Sequence, residues 1–328
     1  MKKVIKIRVD SGDKIGLGHF YRMIAITQIL NSDFDFHFFS KSQSTIKLLE
    51  GFKFNYTLID DEQLFLETLK SDDIVIVDGY DFKSEFELQI KKFGSLLVCI
   101  DDLNDHQFFA DIIINHGLRF KEKDFKAQPN SKIFLGLKYL LVREEFLAKS
   151  SIKYIDRNKL DSVFISFGGT SSLKLVETSI KVFERLNFKK INIVFGNISD
   201  YEIVKLKHNR INCYTGLNPD EIINLLSKAD LAFLPASTVL LESFCVGLPI
   251  ISGWFAENQN FSLAIFEKKN MVINLGNLHI NLEAKLQNAL KESSIEILNK
   301  LGRNQKSEIG NSYNNIKQIF SSAAETKL

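Results

Sequence analysis

The stretch KVIKIRVDSGDKIGLGHFYRM, residues 3–23, joins a strand-like run to the start of a helix through a glycine-rich loop. β-Branched residues dominate its first part, and apolar residues at helical spacing follow from residue 19 to residue 31. Gly16 and Gly18 let the backbone turn and leave the helix start without bulky side chains, so that a ligand can approach it. The loop is not the dinucleotide-binding pattern G-x-G-x-x-G, because Tyr21 replaces the third glycine.

The same alternation of strand and helix continues through the first half of the chain and starts again near residue 162. Strict alternation predicts a parallel sheet with helices on both faces, and ligands of such sheets bind beyond the carboxyl ends of the strands. The polar stretch 148–161 is interpreted as a linker, and the tail from residue 281 to about residue 322 as helical. We therefore predict an α/β protein with two doubly wound parallel-sheet domains, 1–150 and 151–328, that face a cleft.

The 328-residue chain carries 42 basic and 40 acidic side chains, so no broad field favours nucleic acid or an anionic membrane. Its three cysteines lie far apart in apolar runs, which indicates reduced thiols and neither a disulfide framework nor a metal pair. No signal-peptide pattern and no window of about 18 apolar residues is present. We expect a soluble, cytoplasmic monomer with no nucleic-acid or membrane partner.

His19 opens the first predicted helix, and Arg22 follows three residues later on the same helical face. The positive end of the helix dipole disfavours imidazolium, so a neutral ring that can accept a proton is expected. A neutral base beside a cation suits a reaction on an anionic substrate. In the alternative interpretation, His19 only caps the helix and Arg22 pairs with an acidic side chain.

Polar side chains follow two buried strand-like runs in the first half. IVIVDGY ends with Asp78, Gly79 and Tyr80, and LLVCIDD ends with Asp101 and Asp102. Side chains at these strand ends are expected to project into the cleft, although a simple turn after each strand is the alternative. Adjacent carboxylates on an extended chain point to opposite sides, so one of the second pair can cap the next segment while the other lines the site.

The second half contains candidate phosphate-binding turns. FISFGGT places Gly168, Gly169 and Thr170 at a turn into a helix, where free backbone amides bind anions. The spacing is not that of a Walker motif, because the lysine is absent.

Further along, ASTVLLES places Ser237 and Thr238 at a helix N-terminus, with Glu242 one turn later. Such hydroxyls and free amides suit a second phosphate, and the carboxylate suits a ribose diol. Ordinary N-capping by the two hydroxyls is the alternative. Asn258 follows a later strand and offers a hydrogen-bonding side chain at the same sheet edge.

Among the six histidines, His116 lies in the loop after the run DIIIN and could face the cleft. Apart from His19, the others suit structural or exposed positions, and no pair has the spacing H-x-x-x-H of metal ligands. We therefore predict no metal and no cofactor.

Taken in this order, the motifs resemble the UDP-2,4-diacetamido-2,4,6-trideoxy-β-L-altropyranose hydrolases of pseudaminic acid biosynthesis. The resemblance covers roughly residues 4–275. It rests on RVDSGDKIGLGHFYR, VDGY, IDDLNDHQFFADIIIN, YLLVREEF, FISFGGT and ASTVLLESFCVGLPIISGWFAENQ. It implies the two-domain GT-B fold, no metal, and inverting attack of water at the anomeric carbon. Two positions depart from the family pattern, Gly79 in place of a histidine and Ser171 in place of an aspartate.

Carried over position by position, the resemblance implies that His19 is the catalytic histidine. The predicted sugar-binding set is Gly18, Arg22, Tyr80 and Asn258. The predicted UDP-binding set is Gly168, Gly169, Thr170, Ser237, Thr238 and Glu242, with the last on the ribose.

We therefore predict an enzyme that hydrolyses a UDP-linked 2,4-diacetamido-2,4,6-trideoxyhexose to UDP and free sugar. The first domain is expected to hold the sugar and the second domain UDP. One alternative is a glycosyltransferase of the same fold, in which an acceptor hydroxyl replaces water. The other is a non-catalytic protein that binds a nucleotide sugar.

Overall fold

The computed structural model describes residues 2–12, 17–168, 173–196, 198–208, 210–255 and 257–326; the side chains of residues 257, 258 and 326 lie outside that description. The chain divides into two compact units. The first unit comprises Met1–Glu144 and Asn311–Leu328, and the second comprises Glu145–Gly310.

Within the described residues, the first unit is built on a seven-stranded parallel sheet with the strand order β3-β2-β1-β4-β5-β6-β7. Its strands are β1 (Lys3–Val9), β2 (Phe34–Ser40), β3 (Asn55–Leu58), β4 (Ile74–Asp78), β5 (Leu96–Ile100), β6 (Ile112–Asn115) and β7 (Lys132–Leu135). Its first four helices are α1 (Gly18–Leu30), α2 (Gln43–Phe52), α3 (Glu62–Leu66) and α4 (Ser84–Lys91). Strands β4, β5 and β6 are buried along their whole length, as is typical of the centre of a parallel sheet with both faces covered.

The second unit repeats this plan with six described strands in the order β10-β9-β8-β11-β12-β13, all parallel. Its strands are β8 (Ser162–Ser166), β9 (Lys190–Phe195), β10 (Asn212–Thr215), β11 (Leu231–Pro235), β12 (Ile250–Trp254) and β13 (Ile273–Asn277). Its helices are α5 (Glu144–Ser150), α6 (Leu173–Arg185), α7 (Ile198–Lys207), α8 (Pro219–Lys228), α9 (Thr238–Val246), α10 (Glu257–Lys268), α11 (Leu282–Glu292) and α12 (Ile295–Ile309). The predicted fold class, two doubly wound parallel sheets, is confirmed.

The C-terminal helix α13 (Ser312–Thr326) belongs to the first unit, whereas the sequence analysis placed all of 151–328 in the second domain. Ile316 and Phe320 on this helix are fully buried, and the Ser312 hydroxyl donates a hydrogen bond to the Leu140 carbonyl at 3.0 Å. Helical periodicity shows which face of a tail is apolar, but it does not show which sheet that face covers.

Each sheet reverses its strand order at one point, and this point locates a crevice. In the first unit the reversal falls between β1 and β4, and in the second between β8 and β11. The loops after these strands leave in opposite directions, which opens the crevice where ligands of doubly wound sheets bind. Because Val9 pairs with Asp78 at the carboxyl ends of β1 and β4, residues that follow either strand meet at this edge.

In the described part of the chain, no helix has the length and apolarity needed to cross a bilayer.

Candidate active site

His19 and Asp78 form a buried pair at the crevice of the first unit. Helix α1 begins at Gly18, so His19 lies in its first turn, as predicted, and is 4% exposed. Its Nδ1 lies 2.6 Å from Oδ1 of Asp78, whose side chain is fully buried. Because a carboxylate only accepts hydrogen bonds, we assign the ring proton to Nδ1. This leaves a lone pair on Nε2, which has no partner among the described residues.

Arg22 connects this pair to a second carboxylate. Its Nε and Nη2 donate to the two Asp78 oxygens at 3.0 and 2.6 Å, and its Nη1 donates to both oxygens of Asp102 at 2.6 and 2.7 Å. Its Nη2 also lies 2.7 Å from His19 Nδ1; a guanidinium only donates, so this contact is a hydrogen bond only when Nδ1 carries no proton, and it is not one in the tautomer assigned above. The guanidinium therefore holds the two carboxylates, and Asp78 in turn orients the imidazole.

In the alternative interpretation, Arg22 pairs with an acidic side chain and His19 only caps the helix. The first part is correct, and the second is wrong. Arg22 does pair with acidic side chains, but they are the ones that orient His19. The residue before α1 is Leu17, and no side chain forms a capping hydrogen bond there. The histidine is therefore held by Asp78, and its function is not that of a helix cap.

The charges of the network reinforce one another. Burial alone would lower the pKa of Arg22, but Asp78 and Asp102 outweigh burial and raise that pKa above its ordinary value. Burial alone would raise the pKa of Asp102, but the Arg22 guanidinium lowers it to about 2. Arg22 and Asp102 are therefore both ionised at neutral pH.

Asp102 supplies a test of this arrangement through acid unfolding. Its pKa falls from 3.8 to about 2 on folding, so its contribution to stability is complete above pH 4 and is lost as the pH falls towards 2. We expect Asp102→Asn to lower the free energy of unfolding by on the order of 2 kcal/mol at pH 7. The difference from wild type should vanish near pH 2. Urea titrations at a series of pH values measure it, and an undiminished difference at pH 2 would contradict it.

Tyr80 lies beside the pair of His19 and Asp78. Its ring meets the His19 ring edge-on, with centroids 4.6 Å apart and an interplanar angle of 84°. The residue is 48% exposed, and burial of the rest together with Asp102 raises the pKa of its hydroxyl. Tyr80 therefore offers a protonated phenol on a partly exposed side chain beside the His19 ring.

The two adjacent aspartates have the separate roles that the alternation along a strand predicted. Asp101 accepts hydrogen bonds from the backbone amides of Leu103 and Asn104 at 3.1 Å and from the Asn115 side chain at 2.8 Å. It caps the segment after β5, while Asp102 turns to Arg22. This expectation is confirmed.

The glycine at position 79, where the hydrolases that the sequence resembles carry a histidine, has a steric explanation. A Cβ at this position would lie 2.8 Å from the Phe82 ring. Phe82 in turn packs against the buried Arg8 guanidinium, 4.9 Å from the ring centroid, and against Phe86. The space that a histidine at position 79 would need is therefore filled by an anchored aromatic ring.

The candidate phosphate site of the second unit is described in part. Gly168 follows β8 with φ = +71°, a conformation that favours glycine, and a Cβ there would meet nothing within 4 Å. Its predicted partners Gly169 and Thr170 lie outside the described residues, as do Gly16 and Ser171. The side chain of Asn258 also lies outside them.

Ser237 and Glu242 lie at the other side of the same crevice, because β8 and β11 are neighbours. Ser237 precedes α9, and its side chain makes no capping hydrogen bond, so the N-capping alternative is wrong for it. Its Oγ is buried without a partner in the described structure. Thr238 is exposed at the first position of α9, and Glu242 is buried one turn later.

An unpartnered hydroxyl at the positive end of a nine-residue helix, next to an open glycine turn, can bind an anion. Within the described residues, no group of three or more histidine, cysteine, aspartate or glutamate side chains is placed to hold a metal ion.

Asp78 and Asp102 complete the site, and neither was in the predicted set of functional residues. Both were singled out as polar ends of buried strands. Their pairing with the helix residues was not predicted. Asp78 is 59 residues from His19 in the chain, and Asp102 is 80 residues from Arg22. An aspartate that ends a fully apolar strand at the reversal of strand order is the signal that could have indicated it.

The structure is similar to solved structures of the GT-B fold. MurG from Acinetobacter baumannii superposes with a TM-score of 0.70 at 12% identity, covering 98% of this chain and 100% of that one. Phytolacca americana UGT2, solved with UDP-2-fluoro-glucose and pterostilbene, gives 0.66 at 11% identity, with coverage of 98% and 100%. Anabaena HepE in complex with UDP-glucose gives 0.56 at 13% identity, with coverage of 97% and 99%.

Identities this low show the fold alone, and the fold is GT-B. No protein-family model and no curated protein matches the sequence.

Proposed function

We propose that this protein is an enzyme that hydrolyses a UDP-linked 2,4-diacetamido-2,4,6-trideoxyhexose to UDP and free sugar. The observation that carries the proposal is the Nε2 of His19, which has no partner among the described residues, while Nδ1 donates to the buried carboxylate of Asp78 at 2.6 Å. His19 and Asp78 lie where the strand order of the first sheet reverses, in a protein of the GT-B fold. The choice of sugar comes from the family resemblance of the sequence.

In the proposed reaction, His19 Nε2 takes a proton from water as the water oxygen bonds to the anomeric carbon. The bond from that carbon to the phosphate oxygen breaks at the same time, and its electron pair leaves with UDP. Asp78 stabilises the imidazolium that forms and holds the ring in the required tautomer. Attack from the side opposite the leaving group inverts the anomeric centre.

The second unit is proposed to bind UDP. The buried, unpartnered Ser237 hydroxyl, the start of α9 and the open turn at Gly168 supply hydrogen-bond donors for the diphosphate. Glu242 is proposed to accept hydrogen bonds from the ribose hydroxyls. UDP is a good leaving group, so anchoring the diphosphate and positioning the water supply much of the rate acceleration.

A glycosyltransferase is the second candidate, and the similar solved structures favour it. In that case His19 would remove the proton from an acceptor hydroxyl. The two candidates differ only in the nucleophile, so the presence or absence of an acceptor decides between them.

The experiment is a proton NMR time course with UDP-2,4-diacetamido-2,4,6-trideoxy-β-L-altropyranose, without acceptor and with a chelator present. We expect UDP and free sugar to accumulate, and the first sugar formed to have the inverted anomeric configuration. UDP-N-acetylglucosamine serves as the control substrate and should remain intact. If the diacetamido substrate also remains intact although it binds, the hydrolase proposal is wrong, and addition of candidate acceptors tests transfer.

A further inference from the structure

His116 lies at the same sheet edge as the network of His19, Arg22 and Asp78. Hydrogen bonds to the residues before and after it fix the course of the chain there. Strand β6 pairs with β5, and the Asp101 amide donates to the Ile114 carbonyl at 3.0 Å. The preceding residue, Asn115, donates to Asp101 at 2.8 Å and accepts from the Gly117 amide at 2.9 Å. The position of His116 is therefore set by the capping network of the neighbouring strand end.

The two ring nitrogens of His116 differ in their surroundings. Nδ1 is buried and has no hydrogen-bond partner in the described structure. Nε2 makes no hydrogen bond to any described residue either, and the residue as a whole is half-buried. A buried N–H without an acceptor is rarer in proteins than a buried lone pair without a donor. We therefore assign the ring proton to Nε2.

The ring is also uncharged. Burial and the Arg22 guanidinium lower the pKa of His116 to about 4, and the opposing effects of Asp102 and Asp78 are smaller. Both Asp102 oxygens accept from Arg22, and His116 makes no hydrogen bond to a carboxylate among the described residues. At neutral pH, His116 presents one N–H and no charge.

We propose that His116 is a specificity-determining residue, whose Nε2–H donates a hydrogen bond to an amide carbonyl of an N-acyl group on the substrate sugar. An uncharged donor suits an acceptor that is itself uncharged, and a carbonyl oxygen accepts without offering a competing proton. The charged groups nearby are already paired with one another, so they leave the sugar to neutral donors such as His116 and Tyr80. This inference rests on the proposed function, because it requires an acylated amino sugar beside His19.

The test compares wild type with His116→Ala on two substrates. One is the UDP-diacetamido sugar, and the other is its diazido analogue, which lacks both amide carbonyls. We expect the variant to raise KM for the diacetamido substrate about tenfold, the effect of losing one hydrogen bond. KM for the diazido analogue and Kd for UDP should change little. His116→Gln keeps an N–H donor and should recover part of the loss.

Because Nδ1 has no protein partner in the described structure, the substitution removes no hydrogen bond there, and the unfolding midpoint should change little. His279→Ala, at an exposed histidine of the second unit, is the matched control. An unchanged KM in His116→Ala, or an equal increase for both substrates, would overturn the inference while leaving the hydrolase proposal intact. A wild-type protein that binds the substrate without cleaving it would overturn the proposed function, and titration of both nucleotides into His116→Ala would then decide the role of His116.

Discussion

His19→Ala is expected to lower kcat for UDP release by about 10²–10⁴-fold, the range typical of losing a general base. Its Kd for UDP should remain close to that of wild type, because UDP is proposed to bind the second unit. The reason lies in the geometry of the pair. Asp78 fixes the ring through Nδ1, so the open Nε2 is the nitrogen that can receive the proton of water. Release of UDP under saturating substrate measures kcat, and isothermal titration measures Kd.

Chemical rescue separates a catalytic role of His19 from a structural one. Imidazole added to His19→Ala can occupy the vacated space beside Asp78, and we expect it to restore part of kcat in a concentration-dependent way. A merely structural histidine would give no such rescue. If His19→Ala retained kcat within a few-fold of wild type, the assignment of the base would be wrong. If wild type bound the UDP sugar but did not cleave it, the non-catalytic alternative would be favoured instead.

The fold was predictable because its signals are local. Strand and helix alternate with clear period changes, and the helical spacing noted over residues 19–31 corresponds to the observed α1 (Gly18–Leu30). The helix α13 could not be assigned to its unit in this way. Its apolar face, with Ile316 and Phe320, would suit either sheet, and the choice is made by contacts between residues far apart in the chain.

The same distinction applies to the candidate site. His19 and Arg22 are three residues apart on one helix, so their proximity follows from helical geometry. Asp78 and Asp102 join them only because β1, β4 and β5 are neighbours in the sheet. Sequence placed each aspartate at a strand end, but the partner of each depended on the order of the strands.

His116 and Ser237 show what sequence reasoning could not supply. Both were noted as polar residues at suitable places, yet their distinguishing property is a buried polar atom without a partner. That property is an absence of contacts in three dimensions, so no local pattern reports it. Buried polar atoms are nearly always satisfied in native proteins, which is why the unpartnered Ser237 hydroxyl points to a bound group, whereas the unpartnered Nδ1 of His116 indicates which ring nitrogen carries the proton.

The second large effect concerns stability, and it follows from the burial of Arg22. Its side chain is 10% exposed and serves two carboxylates, one of them fully buried. We expect Arg22→Met to lower the free energy of unfolding by about 3–5 kcal/mol, because it leaves the buried Asp78 charge without its cationic partner and with only the His19 N–H as a donor. The flexible, apolar methionine fills much of the same volume, so loss of packing contributes little. Urea unfolding followed by far-ultraviolet circular dichroism measures the change.

Arg303→Met provides the matched control in the same assay. Arg303 also forms a bidentate pair, with Asp156 at 2.7 Å to each oxygen, but the two side chains are 46% and 59% exposed. An exposed pair contributes roughly 0–1 kcal/mol, so this variant should unfold almost as wild type does. If Arg22→Met were no more destabilising than Arg303→Met, the network would not be the buried, ionised one described. A large loss confined to Arg22→Met, recovered in part by the double variant Arg22→Met/Asp78→Asn, would show that the penalty arises from the isolated carboxylate. It would also explain why a site built for a neutral sugar contains a guanidinium: the charge holds Asp78, and Asp78 holds the base.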